Sequence, residues 1–243
     1  MFFGEKFNEK LRLNSFDASK YEVKIPNKNL NEIDCSEILL SSGLPVLKPS
    51  LIKNIEELSS YFNEDKNKYV MKIVSSDIQH KTDVGGVVLN VDNLELARTS
   101  YQDIFKNVKN TVPNAKIDGI MISPMKKGDI ECILGAKLDP VFGPIVMFGL
   151  GGIYAEVMKD IVFAEAPVNK EKAEQMISSL KSKDIFYGAR GKPAVDINSL
   201  LNAIINLSNF IAANSDKVDQ VEMNPILVSE TEVIALDALI IKK

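Results

Sequence analysis

The stretch from Tyr69 to Val88, YVMKIVSSDIQHKTDVGGVV, restricts the fold more than any other part of the chain. Two apolar runs flank a polar loop that closes on Gly85-Gly86, a pattern that predicts a strand, a loop and a second strand. The loop presents His80, the only histidine in 243 residues, and the first strand carries one cation, Lys72. A neutral imidazole is a good nucleophile near pH 7, and a lysine can hold phosphate oxygens as a point charge. Asp77 and Asp83 lie three residues to either side of His80, and either would serve to fix the tautomer of the ring. The glycines permit positive φ and close backbone approach. Against this, a lone histidine in a polar loop is more often an ordinary solvated side chain, and the rest of the chain has to decide.

A chain of 243 residues can bury a full core, as one large domain or as two lobes. Its 45% hydrophobic and 26% charged content are ordinary for a soluble globular protein. A net charge of −4 argues against broad binding to nucleic acid or to acidic membrane. Cys35 and Cys132 are far apart and in unlike contexts, which suits a reducing compartment. The N-terminal Met-Phe-Phe is followed by charged residues, and no apolar run reaches spanning length. The expectation is a cytoplasmic protein.

Residues 1–27 read as a polar arm. A helix is predicted from about Glu32 to Ser42, stopped by Gly43, and a short helix after Asn54, where Glu57 completes a capping box. Leu94, Ala97, Tyr101, Ile104, Phe105 and Val108 recur at helical spacing, and Pro113 ends that helix. Residues 28–113 thus form a small mixed lobe, and residues 114–243 a larger one. There, runs at 117–124, 130–138 and 144–150 are separated by turns at 126–129 and 139–143, spacings that suggest successive antiparallel strands. A further strand lies near Ile161–Ala164, a helix follows Asn169, and Asp196 caps a long helix running through Leu200, Ile204, Leu207 and Ile211.

The C-terminus reads as a hairpin. If Glu230-Thr231 form a two-residue turn, Asn224 sits directly across from Asp237, with Glu222 on the same face two residues along. Such oxygen-bearing side chains suit magnesium; the alternative is a solvated hairpin face. The Gly149-Leu150-Gly151-Gly152 run fits neither GxGxxG nor a P-loop, and serves either as a turn or as a nest of N–H groups for an anion. Arg190, in a loop of small residues before Pro193, is either a phosphate clamp or a solvated side chain.

Taken together, these segments resemble a known family. S-D-I-Q-H-K-T-D-V-G-G-V at 76–87, K-I-V at 72–74, F-G-P at 142–144, F-G-L-G-G at 148–152, G-A-R-G-K-P at 188–193 and E-M-N-P at 222–225 look like the ATP-grasp subunit of an ADP-forming acyl-CoA synthetase. Its best-known members are ADP-forming acetyl-CoA synthetases, relatives of succinyl-CoA ligase. The resemblance covers residues 28–243 and implies an α+β ATP-grasp fold, with two α+β lobes and the nucleotide between them. It implies the reaction acyl-CoA + ADP + phosphate ⇌ acid + ATP + CoA. It also implies a CoA-binding α subunit as partner, in a heterotetramer of two α and two β subunits.

On this resemblance His80 would carry a phosphoryl group on a swinging loop, and Arg190 would sit near the transferred phosphate. Lys72 would hold nucleotide phosphates; Glu131, Gly151 and Gly152 would line the ATP/ADP site. Ser123 and Met125 would form the adenine hinge, with Ser123 standing where the family pattern leads one to expect Gln. Asn224, Asp237 and Glu222 would hold Mg2+. Two other readings remain open at this point: an ATP-sensing regulatory subunit that transfers nothing, and a succinyl-CoA ligase-type chain.

Overall fold

The computed structural model describes residues 16–62, 67–78, 80–152, 159–189 and 191–243. They divide into two compact units. One comprises residues 26–37 and 48–126; the other comprises the described residues up to 25, residues 38–47 and residues from 127 onward.

The smaller unit is built on four antiparallel strands: β1 (Ser50–Ile52), β2 (Tyr69–Val74), β3 (Val87–Val91) and β4 (Gly119–Pro124), in the order β1-β4-β2-β3. The helix α1 (Glu32–Ser41) begins in this unit, and α2 (Leu94–Thr111) covers the sheet. Met71 and Ile73, two apart on β2, are buried with Ile52, Ile120 and Ile122 beneath Ala97, Ile104 and Val108 of α2. That stripe on α2 is the helical repeat seen in the sequence. Asn93 Oδ1 accepts from Leu96 N at 2.8 Å and opens α2, and the helix ends before Pro113. After Asn54 the chain forms a 3-10 helix, Ile55–Tyr61, with Glu57 Oε1 accepting from Asn54 N at 3.2 Å.

One strand goes elsewhere than its spacing suggests. The apolar run ending at Pro124 does not turn back to pair with the run from Ile130; as β4 it lies between β1 and β2. Five of its six residues are buried, as expected for a strand with neighbours on both edges. Gly119 makes the approach to β1 possible, since a Cβ there would lie 2.7 Å from the Ile52 carbonyl oxygen.

The larger unit carries β5 (Ile130–Asp139), β6 (Gly143–Leu150), β7 (Ile161–Glu165), β8 (Val218–Val228), β9 (Val233–Ala235) and β10 (Ala238–Lys242). The order is β10-β8-β5-β6-β7, with β9 also pairing β8. The helix α3 (Lys170–Ser179) starts at Asn169, whose Oδ1 accepts from Lys172 N at 2.9 Å. The helix α4 (Ile197–Ala213) starts at Asp196, whose Oδ1 accepts from Ser199 N at 3.0 Å. It is buried nearly all round and packs on β5 and β6, so it is the centre of this core. Residues 16–25 of the polar arm are tied to α4: Asn214 beyond its end, fully buried, accepts from Val23 N at 3.1 Å and donates to Tyr21 O at 2.8 Å. Both cysteines are buried and neither forms a disulfide among the described residues, and burial pushes the Cys132 thiol far up. No helix among the described residues is long and apolar enough to cross a membrane.

Candidate functional site

His80 is exposed, while Ile78 is buried and Lys81 half-buried. On the near side Ile78 is buried in the core of the smaller unit. Asp77 anchors the same side: its Oδ2 accepts from Lys116 N at 2.8 Å, and Ser76 Oγ approaches its Oδ1 at 3.4 Å. The carboxylate that the sequence offered as an orienter of the imidazole therefore fastens the loop to the chain before β4. On the far side Gly86 N donates to Lys81 O at 2.8 Å, and Ile73 N donates to Gly86 O at 2.8 Å. The glycine pair makes this closure possible. Gly85 has φ +65°, and a Cβ on Gly86 would lie 2.6 Å from Ile73 Cγ2.

Lys72 and Lys81 converge on Glu32, in the first turn of α1. Lys72 Nζ lies 3.1 Å from Glu32 Oε1, and Lys81 Nζ lies 2.7 Å from Oε2. The Glu32 side chain is 3% exposed and each lysine side chain 15%. A carboxylate taken so far from water needs such partners, because its desolvation otherwise costs several kcal/mol. Two lysines thus share one buried carboxylate. No local pattern marks this cluster in advance: Glu32 looks like an acidic residue favoured at any helix start, and Lys81 like one polar loop residue among several. Ser123 is buried on β4 opposite Val70, and Met125 N donates to Lys68 O at 2.7 Å, so both stand at the C-terminal end of this inner strand.

In the larger unit Glu131 is an exposed residue of β5, and Gly151 N donates to its carbonyl oxygen at 2.7 Å. The three glycines beside it are there for close approach. A Cβ on Gly149 would lie 2.5 Å from Asp160 O, and one on Gly151 would lie 3.1 Å from the Cys132 backbone. Gly152 has φ +61°, and a Cβ there would lie 3.1 Å from Glu131 Oε2. Glu131, Gly151 and Gly152 thus stand together. Arg190 lies outside the described residues; Gly188 and Gly191 around it both have positive φ.

The terminal hairpin has the register read from the sequence. Ser229 and Glu232 close the two-residue turn, with Ser229 N donating to Glu232 O at 2.9 Å. Ile226 pairs with Ala235 and Met223 with Ala238, which leaves Asn224 facing Asp237 between them. Asn224 Nδ2 donates to Glu222 Oε1 at 3.1 Å, and Asp237 Oδ1 accepts from Ala238 N at 2.9 Å. Two residues of β8, Asn224 and Pro225, stand opposite the single Ile133 of β5, a bulge of the kind that re-aims a side chain.

Residues 23–241 match the model of an ATP-grasp domain. Over 220 residues the chain is 40% identical to the β subunit of acetate–CoA ligase (ADP-forming) I of Pyrococcus furiosus, covering 90% of this chain and 94% of that subunit. The chain belongs to the ATP-grasp β subunits of ADP-forming acetate–CoA ligases. It is also 39% identical to the 4-hydroxybutyrate–CoA ligase (ADP-forming) of Nitrosopumilus maritimus, where the match takes in 93% of this chain but only 32% of that one. Two structures of the dinucleotide-forming acetyl-coenzyme A synthetase 1 of Candidatus Korarchaeum cryptofilum match 98% of this chain and 99% of theirs. One holds coenzyme A, acetyl-coenzyme A and a phosphorylated phosphohistidine segment in a site I orientation, at 32% identity and TM-score 0.79. The other holds coenzyme A and Mg-AMPPCP, its phosphohistidine segment pointing towards the nucleotide-binding site, at 30% identity and TM-score 0.76. The α+β fold and ligase class expected from the sequence motifs of this ATP-grasp β subunit therefore hold.

Proposed function

We propose that this β subunit carries a phosphoryl group on His80 between an acyl phosphate formed on a CoA-binding α subunit and ADP. The reaction is acyl-CoA + ADP + phosphate to acid + ATP + CoA, in either direction. A histidine of the α subunit first takes the phosphoryl group from the acyl phosphate, and a ring nitrogen of His80 then takes the phosphorus as its bond to that histidine breaks. The terminal oxygen of ADP then takes it from the ring, and the imidazole is restored. The observation that carries this reading is His80 itself: the sole histidine, exposed, on a loop anchored at both shoulders. Supporting it, two structures of one relative, each matching 98% of this chain, hold a phosphohistidine segment in two orientations.

Lys72 holds nucleotide phosphates, and Arg190 neutralises the group in transit. Glu131 with Gly151 and Gly152 meets the nucleotide, and Ser123 and Met125 meet its base. Asn224, Asp237 and Glu222 fit Mg2+, being oxygen donors gathered on one hairpin face. The Asn224 amide nitrogen already turns to Glu222, which leaves its carbonyl oxygen as the donor a hard cation takes. When bound, the ion supplies charge neutralisation at the phosphate oxygens. The remaining catalysis is positioning by this chain's own residues.

The partner is inferred from relatives of two lengths. The matching sequence makes up nearly all of a separate β subunit in one and about a third of a longer ligase in another. The assembly we propose is a heterotetramer of two α and two β subunits, as the family resemblance implies.

The test is chemical. The subunit is incubated with MgATP, kept alkaline because phosphohistidine is acid-labile, and examined by intact mass and peptide mapping. One phosphoryl group on His80, removable by ADP, is the expected result. ATP binding without phosphate on His80, with the α subunit present, overturns the carrier role.

A further inference from the structure

The residue after His80 is the least expected member of the cluster on Glu32. Lys81 is held at both its ends: Nζ lies 2.7 Å from Glu32 Oε2, and its carbonyl accepts from Gly86 N at 2.8 Å. A loop lysine with a side chain 15% exposed has given up most of its hydration for this contact. The near shoulder is equally fixed, by buried Ile78 and by Asp77 on Lys116 N. The span left between these anchors is short and centres on His80.

We propose that Lys81, through its ion pair with Glu32, is a positioning residue for the phosphoryl carrier. It sets the far boundary of the segment that reorients and limits the conformations from which His80 meets a phosphoryl donor. The inference rests on the carrier role proposed for His80. Physically, a tether removes unproductive conformers before reaction, and a reactive nitrogen about 1 Å out of place can cost on the order of 100-fold in rate. Ion pairs this far from water are also coupled strongly enough to be measured by double-mutant cycles. The shared carboxylate adds a second consequence. Glu32 joins the segment bearing His80 to Lys72, so one side chain serves both lysines.

The variants are Lys81→Met, which keeps the aliphatic stem and removes the charge, Lys81→Arg, Glu32→Gln and the Lys81→Met/Glu32→Gln double variant. Two readouts are taken on the full chain with its partner. The first is the single-turnover rate of phosphate appearing on His80 from MgATP, beside the dissociation constant for the nucleotide. Lys81→Met is expected to slow phosphorylation by about 10-fold and to leave the dissociation constant within about 2-fold, since only positioning is lost. Lys81→Arg restores the rate to within about 3-fold, and the double variant is no slower than its slower parent. The second readout is amide exchange at Gly86 N, which reports the hydrogen bond to Lys81 O directly and does not depend on phosphoryl transfer. It quickens in Lys81→Met and not in Lys81→Arg.

A Lys81→Met variant with unchanged rate and unchanged Gly86 exchange overturns the proposal, as does a double variant whose losses multiply. If Glu32→Gln does not fold, the Met and Arg variants decide alone. If the unmodified chain never takes phosphate on His80, the carrier role fails. Unchanged Gly86 exchange in Lys81→Met then overturns the tether as well, and quickened exchange upholds it as an anchor of the loop.

Discussion

Asn224 faces Asp237 across the terminal hairpin, one pair beyond the buried partners Met223 and Ala238 and beside the bulge at Pro225. The pairing follows from a turn only two residues long, so neither side chain can slip to the other face without moving the whole strand. Both lie at the open side of a sheet whose opposite face is packed against α4.

Asp237→Asn and Asn224→Ala should therefore fold normally and raise the Mg2+ concentration needed for nucleotide-dependent phosphorylation. Loss of even a supporting contact typically weakens metal binding about 10–100-fold, so a direct ligand should cost at least the lower figure. A magnesium titration of His80 phosphorylation measures it; an unchanged midpoint in both variants removes the hairpin from the metal site.

Gly86→Ala should destabilise the smaller unit. The added carbon would meet Ile73 Cγ2 at 2.6 Å and Lys81 O at 2.9 Å, and neither the branched side chain nor the backbone can move away freely. Overpacking of this kind costs about 1–3 kcal/mol. Denaturant unfolding would show the lowered midpoint, and a variant as stable as the parent would mean that the loop closes differently.

Asn214→Ala should loosen the start of the chain. It leaves Val23 N and Tyr21 O without the partner they have now. Each such buried loss costs about 1–3 kcal/mol. Urea midpoints report the loss, and limited proteolysis should begin within residues 16–25. Protection there equal to the parent's would place the anchor elsewhere.

The acid limb of stability should depend on Asp160. Burial pushes its carboxyl up, but the Ser182 hydroxyl and the N–H groups of Lys181 and Ser182 outweigh that and hold it below the ordinary 3.8. A depressed carboxyl contributes its full stability above the unfolded value and loses it as pH falls through the lower, folded one. Asp160→Asn should accordingly be less stable at neutral pH and lose less on acidification below 3.8. Thermal midpoints across that range give the comparison, and parallel curves for the two proteins would contradict it. Asp196, held down by the Ser199 hydroxyl and N–H, contributes in the same direction.

What could be read in advance was local. The capping box of Asn54 and Glu57, the helix starts at Asn169 and Asp196 and the two-residue turn of the hairpin depend on residues within a few positions of one another, so their chemistry is written side by side. The partner of β4 was not legible, because an apolar run states that a strand is buried and says nothing about which strand it joins. Glu32 was not legible for a related reason: it is 40 residues from Lys72, and nothing in a helix-start glutamate distinguishes a solvated carboxylate from one clamped by two cations. Asp77 shows the opposite error. Its spacing from His80 suggested a partner for the ring, while the fold offered it a nearer N–H at Lys116.

The place of β4 also bears on how such a chain is made. Synthesis delivers β1, β2 and β3 first, yet the strand that belongs between β1 and β2 comes some 45 residues after β2. Until it is released, two neighbouring edges stand open, each able to accept a stranger. The smaller sheet is thus sealed from its middle by its last-made piece. A nascent chain stalled just short of residue 119 would be the form most in need of a chaperone.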